Sequence, residues 1–289
     1  MTTAATDHRA GRRCHNALNS LHATHYFAPE LGTELGALGI TSPHAVNFAA
    51  RAAALGAVGA GTVTATFYNY KYELVARHVP AVWRTAAPEQ VLTARLRAVD
   101  ASMRRLLGAG TLTSPEMAEA ADLALRATEG CSRAARPLYS AHADLPVPEE
   151  PHLAYWHAST LLREHRGDGH LAALMSAELD GLEAVVTHTA TGRGMTPAWV
   201  SATRGWSRED WEAAVARLRE RGLLDAAGEL TEQGAALRAR IEAETDRLDR
   251  APYAALGAEG VARLTELGTV LARTAVGAGA FPADLFGKG

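Results

Sequence analysis

The sequence predicts a mainly α-helical protein that ends in a winged helix-turn-helix module. Three observations carry this. Apolar residues recur three and four positions apart along most of the 289-residue chain, the spacing of one helix face. Many segments open on a capping residue or on a first-turn proline, as at Pro88, Ser114-Pro115, Thr196-Pro197, Ser207 and Thr231. Between residues 196 and 231, two short helices around Arg204-Gly205-Trp206 precede a Gly222–Thr231 stretch that reads as two short strands about a turn. Helix, turn, helix and wing define the module. A degenerate tandem of two such modules is the extended form of this expectation.

Each element follows in order. Residues 1–9 read as a disordered tail, and a helix runs over 10–28 until Pro29 ends it. On or near one face it carries His15, Leu18, His22, His25 and Tyr26. Residues 45–58 form a short helix in which Arg51 is the one charge in an apolar run; it either extends to solvent or meets an anion. Residues 62–83 are read as mostly helix, followed by helices over 90–107 and from Ser114 to about Glu129, with a short turn at 133–139. Pro146, Pro148 and Pro151 form a rigid connector, dividing an N-terminal helical domain (10–145) from a second domain (146–289).

Past the connector, Leu153, Trp156, His157, Thr160, Leu161 and Glu164 share a helix face, and Leu171, Leu174, Met175, Glu178, Leu179 and Leu182 do the same. Gly167-Asp168-Gly169 is read as the turn between two helices, with Asp168 capping the second. A loop over 187–194 leads into the winged helix. The long helix from Thr231 breaks at Pro252, and a last helix covers 259–276.

Composition narrows the function classes. A formal charge of −3 gives no overall attraction to nucleic acid or to an anionic membrane. All but two of the 29 basic residues are arginine, lysine standing only at 71 and 288. Cys14 and Cys131 lie far apart and outside any metal spacing, and read as reduced thiols of a cytoplasmic protein. No signal peptide and no run of about 18 apolar residues is present, so no membrane partner is expected.

The second helix of the module would enter a major groove through Ser207, Arg208, Glu209, Asp210, Trp211 and Glu212. Three carboxylates against one guanidinium would face the phosphates, and the wing adds Asp225 and Glu229 without a cation. The module is therefore read as retained architecture, with DNA disfavoured as a partner.

Leu21-His22-Ala23-Thr24-His25-Tyr26-Phe27-Ala28-Pro29-Glu30, Arg163–His170 continued by Leu171-Ala172-Ala173-Leu174, and Arg221-Gly222-Leu223-Leu224-Asp225 occur in that order. Together they resemble an actinobacterial family of helix-turn-helix-type proteins, distantly similar to the MarR regulators, over residues 10–285. The resemblance implies winged-helix modules and a setting among antibiotic-biosynthesis or resistance genes; it supplies no catalytic residue. The family pattern has proline after Arg51-Ala52-Ala53, where this chain has Ala54. The winged-helix glycosylases that excise alkylated bases use a glutamine-based catalytic pair, and Gln90 and Gln233 stand here in ordinary helical context.

The functional expectation is a small-molecule protein, with an acid–base enzyme of specialised metabolism as its leading form. His165, His170, Glu164 and Asp168 are the catalytic candidates: opposed helix ends would push the two imidazole pKa values apart. His22, Tyr26, Arg51, Trp156, His157 and Glu178 are the ligand-binding candidates, polar groups on otherwise apolar stripes, with His170 and Glu178 two turns apart on one face. The alternatives are a ligand-responsive repressor, with a homodimer through the terminal helices, and a drug-sequestering protein without catalysis. Neither haem nor a metal is favoured as cofactor: no haem attachment motif is present, and His165 and His170 are five apart instead of the four of a helical zinc pair.

Overall fold

The computed structural model describes residues 8–192, 194–282 and 285, and the chain is 74% helix. Helix α1 (His8–His22) runs into a 3-10 turn over Ala23–Tyr26. Prolines start several of the helices that follow, because a missing N–H costs nothing in the first turn: α2 (Pro29–Gly36), α3 (Pro43–Ala52), α7 (Pro88–Leu107), α9 (Pro115–Thr128), α10 (Pro137–Ala143) and α11 (Pro151–Ser176). Between them lie α4 (Ala60–Phe67), α5 (Tyr72–His78), the single turn α6 (Val82–Thr85) and the single turn α8 (Ala109–Leu112). The expectation of helix over 62–83 holds, broken at Tyr68, which takes a positive φ of 63°.

Helix α11 is the spine. Its 26 residues span about 39 Å at 1.5 Å each. It packs against α1, α9, α10 and, further along, α15 (Glu232–Leu248). The last helix, α16 (Arg250–Gly277), lies along α1 and α9 and bends at Gly257, where φ is 79°. The principal core joins Leu18, Leu21, Met103, Met117, Leu162 and Leu264. It draws on both sides of the Pro146–Pro151 connector, so the two stretches of chain share one packed interior. A second core, around Phe48, Phe67 and Val75, fills the N-terminal helices, and a third, around Leu182, Leu218 and Ile241, fills the helix-turn-helix module.

That module comprises α12 (Gly181–Thr189), α13 (Pro197–Arg204) and α14 (Arg208–Glu220), followed by α15. Thr196, Ser207 and Thr231 cap α13, α14 and α15 through their side chains, as the local sequence predicts, and Asp180, which it does not single out, caps α12. The wing is slighter than expected: in place of two strands there is one antiparallel bridge, Leu224 to Leu230. Among the described residues of the N-terminal half (8–145) there is no strand and no bridge, and so no second wing. The N-terminal half grips the module at its turn, where Lys71 N–H donates to the Arg204 carbonyl (2.9 Å) and Trp206 Nε1 to the Asn69 carbonyl (2.9 Å).

Three local expectations are corrected. Gly167-Asp168-Gly169 is not a turn, because α11 runs through it unbroken. Gly169 is small for a tertiary reason: a Cβ there would sit 2.8 Å from the Arg136 guanidinium and 3.4 Å from Leu248. The break comes instead at Ala177–Asp180, so the apolar stripe over 171–186 is divided between the end of α11 and α12, and α12 continues through Thr189 into the expected loop. The tail expected over 1–9 lies outside the described residues up to position 7, while His8 and Arg9 already belong to α1.

A candidate arginine and aromatic site

Four elements build the site. His22, His25 and Tyr26 come from the end of α1 and the turn after it, Arg51 from α3, Arg95 from α7, and Trp156, Arg163 and Glu164 from α11. His22 stacks on Trp156 (centroids 5.2 Å apart), and His25 meets the same indole edge-on (5.2 Å). The Arg95 guanidinium lies 5.3 Å from the Trp156 ring, that of Arg163 5.5 Å from Tyr26, and that of Arg51 3.9 Å from Phe67 and 5.9 Å from Tyr26. From the helix-turn-helix side, Arg204 covers Tyr70 at 4.4 Å. Sequence reading therefore named His22, Tyr26, Arg51 and Trp156 separately, and the fold places them in one constellation.

The charges do not balance. Arg95 is buried and donates to the Ala50 carbonyl (2.8 Å). It also faces His142 Nε2 at 3.2 Å. His142 Nδ1 must carry the ring proton, because its partner 2.9 Å away is the Leu138 carbonyl, which only accepts. Glu164, also buried, pairs with Arg163 next to it in sequence. Burial would raise the Glu164 carboxyl, but Arg163, His142 and Arg51 outweigh it and hold the group below the ordinary range. One carboxylate thus answers three guanidiniums. Several polar atoms stay unpartnered: both ring nitrogens of His22, Trp156 Nε1 and Arg51 Nε.

The same field acts on the titratable groups. Burial, reinforced by the guanidiniums, holds His25 down to about 3, and His142 and His157 down to about 4. His22 is lowered well below 6.5 for the same reasons. Tyr70 moves against its burial, which would raise it. Arg204 and Arg51, with hydrogen bonds from Asn47 and Arg51, hold the phenol below 10.

The remaining candidates lie elsewhere. His165 Nδ1 is 2.8 Å from Asp249 Oδ1, and Arg136 donates to the His165 carbonyl, so this residue ties α11 to the α15–α16 junction. Asp168 accepts from the Tyr139 N–H at 2.9 Å, holding the first turn of α10 and not the start of another helix. His170 turns to a cavity beside α15 with its Nδ1 2.8 Å from Thr245 Oγ1. Glu178 is exposed at a positive φ of 54° in the turn after α11, on no common face with His170. The four residues read as one acid–base cluster are thus distributed: Glu164 belongs with the arginines, His165 and Asp168 brace neighbouring helices, and His170 lines the cavity. Arg95, Arg163, Arg204, Tyr70 and His142 escaped sequence reading. The signal that drew attention to Arg51, a lone guanidinium on an apolar stripe, recurs at Arg95 between Val91 and Val99. Among the described residues, no three His, Cys, Asp or Glu side chains converge as a metal set.

On α14 the cations already have partners. Arg217 binds Asp180 and Glu183 (2.9 Å each), and Arg221 binds Glu183 (3.1 Å) and the Glu178 carbonyl (2.8 Å). Arg219 donates to the wing carbonyls of Asp225 (2.9 Å) and Ala226 (2.8 Å), and Arg208 pairs with Glu212 (2.6 Å). Asp210, at the start of the helix, is held by Lys71 at 2.6 Å.

The helix pair, its one-bridge wing and its anchoring on a larger helical body define a helix-turn-helix scaffold protein. The sequence profile of a helix-turn-helix family matches residues 11–282, and the chain belongs to that family. No curated protein and no solved structure matches it. Among the described residues no single helix is long and apolar enough to cross a membrane.

Proposed function

We propose that this protein binds a small organic anion among Arg51, Arg95, Arg163 and their aromatic neighbours, on a helix-turn-helix scaffold that has given up reading DNA. One observation carries the reading: the single carboxylate of Glu164 stands among buried Arg95 and half-buried Arg51 and Arg163, where His22, Trp156 and Arg51 leave polar atoms unpartnered. A buried charge without a partner is costly by several kcal/mol, and an anionic ligand would supply what is missing.

Acid–base turnover of that ligand is the form of the proposal we favour over sequestration. Tyr70, with its phenol held acidic, would donate a proton, and neutral His22 would accept one once the ligand's charge offsets the guanidiniums. The MarR-like ancestry, an actinobacterial setting in specialised metabolism and a cytoplasmic location belong to the same reading. The regulator alternative has one feature in its favour, the retained helix pair. The committed arginines of α14 speak against it.

Calorimetric titration of the full chain with planar carboxylates and phosphates tests the binding step. Binding that is lost in Arg51→Met and Arg95→Met supports the site. Binding equal in both variants and the parent overturns it. Tyr70→Phe then separates the two forms: retained affinity with lost turnover marks catalysis.

A further inference from the structure

A separate cavity of about 360 Å³ lies where α4, α11, α12, α13 and α15 meet. Its walls are largely apolar, with Phe67, Leu174, Val185 and Val200 among them, and Arg238, Arg204, His170, His188 and Glu242 supply the polar groups. Arg238 is the feature that calls for a ligand. It is 6% exposed, and its Nε and Nη1 have no partner. Only Nη2 is engaged, by long contacts of 3.4 Å to His188 Nδ1 and 3.4 Å to Glu242.

Glu242 cannot satisfy that charge by itself. It reaches Arg238 at Nη2 alone, and the same carboxylate lies 3.5 Å from Arg166 and 3.7 Å from Arg12, both of which have a closer partner in Asp246 (2.9 and 2.6 Å). Arg204 brings a further positive charge to the wall; it covers the face of Tyr70 and donates to Thr203 Oγ1 (3.0 Å) and Met195 Sδ (3.6 Å). His170 adds an acceptor. The Thr245 hydroxyl spends its only proton on the Ile241 carbonyl (2.7 Å), so it must accept from His170 Nδ1–H, which leaves Nε2 with a free lone pair.

We propose that this cavity is a second ligand site, sharing the Phe67 and Arg204 walls with the arginine and aromatic cluster but centred on Arg238, and that it takes a small, mostly apolar carboxylic acid whose carboxylate pairs with Arg238. An aromatic acid with one hydroxyl matches the walls, the unpartnered Nε and Nη1 of Arg238 and the His170 acceptor together. Such a ligand would touch the N-terminal corner at Phe67, the spine, and α12, α13 and α15, joining the helix-turn-helix module to the rest of the chain.

The test is calorimetric titration of the full chain with 4-hydroxybenzoate, with 4-hydroxybenzamide as the neutral control. The acid is expected to bind and the amide to bind at least about tenfold more weakly. Arg238→Gln should weaken the acid by a similar factor, and Val270→Ala, at an exposed position on α16 that lines neither site, should leave its affinity unchanged. If Arg238→Gln does not fold, Val185→Trp, which fills the cavity from its wall, serves in its place and should abolish binding. No binding, equal binding of acid and amide, or binding indifferent to Arg238→Gln and Val185→Trp overturns the proposal. Binding sensitive to Arg51→Met and not to Arg238→Gln also overturns it, while supporting the cluster as the ligand site.

Discussion

His165 Nδ1 on α11 stands 2.8 Å from Asp249 Oδ1, at the point where α15 gives way to α16, with the two side chains 1% and 2% exposed. Arg166, the next residue, binds Asp246 at 2.9 Å and lies 3.7 Å from the second Asp249 oxygen. Removing one partner of such a pair leaves a polar group buried without compensation. His165→Ala is therefore expected to cost about 3–5 kcal/mol of stability, read from urea unfolding. A cost below about 1 kcal/mol would show that the pair does not brace this junction.

Acid should destabilise the fold earlier than its carboxylates alone would dictate. His25, His142, His157 and His170 are held at about 3 to 4 against an ordinary 6.5, chiefly by burial. A folded-state pKa below the unfolded one means the neutral imidazole stabilises the native state. That contribution is complete above about pH 6.5 and is lost as the pH falls toward 4, at about 1.4 kcal/mol per lowered unit. Asp168, raised to about 6 by burial, and Asp249, also raised by burial, act with the opposite sign but are two groups against four. The urea midpoint should fall between pH 7.5 and 5, and a flat or rising midpoint would contradict the assignment.

Tyr70 should report on Arg204. The guanidinium covers the ring at 4.4 Å and, after burial, is the largest influence on the phenol. Arg204→Met removes the positive charge, so the Tyr70 pKa should rise, visible as a later tyrosinate absorbance step in a pH titration referenced to Tyr70→Phe. An unchanged step would mean that Asn47 and Arg51 alone acidify the phenol.

The helix-turn-helix surface should not select a DNA sequence. Glu183, 5% exposed, gathers Arg217 and Arg221 and also closes the capping box of α12. Glu183→Ala is expected to lose about 1–3 kcal/mol of stability and to gain salt-sensitive, sequence-independent DNA retardation as two arginines are released. Sequence-selective retardation by the unaltered protein at low salt would reverse this account of α14.

Helical content, the positions of most helix starts and the helix-turn-helix string were legible because capping, first-turn proline and apolar spacing act within a few residues of one another. So was the suspicion attached to Arg51, an unpaired charge on an apolar face. The local pattern at Gly167-Asp168-Gly169 misleads because Gly169 answers to Arg136 and Leu248, more than thirty residues away in either direction and silent in any local pattern. The convergence of Arg51, Arg95, Arg163 and Arg204 on one interior was decided only by the tertiary fold. Periodicity says which face of a helix is buried; which side chains meet behind that face, and whether their charges cancel, depends on how separate helices pack.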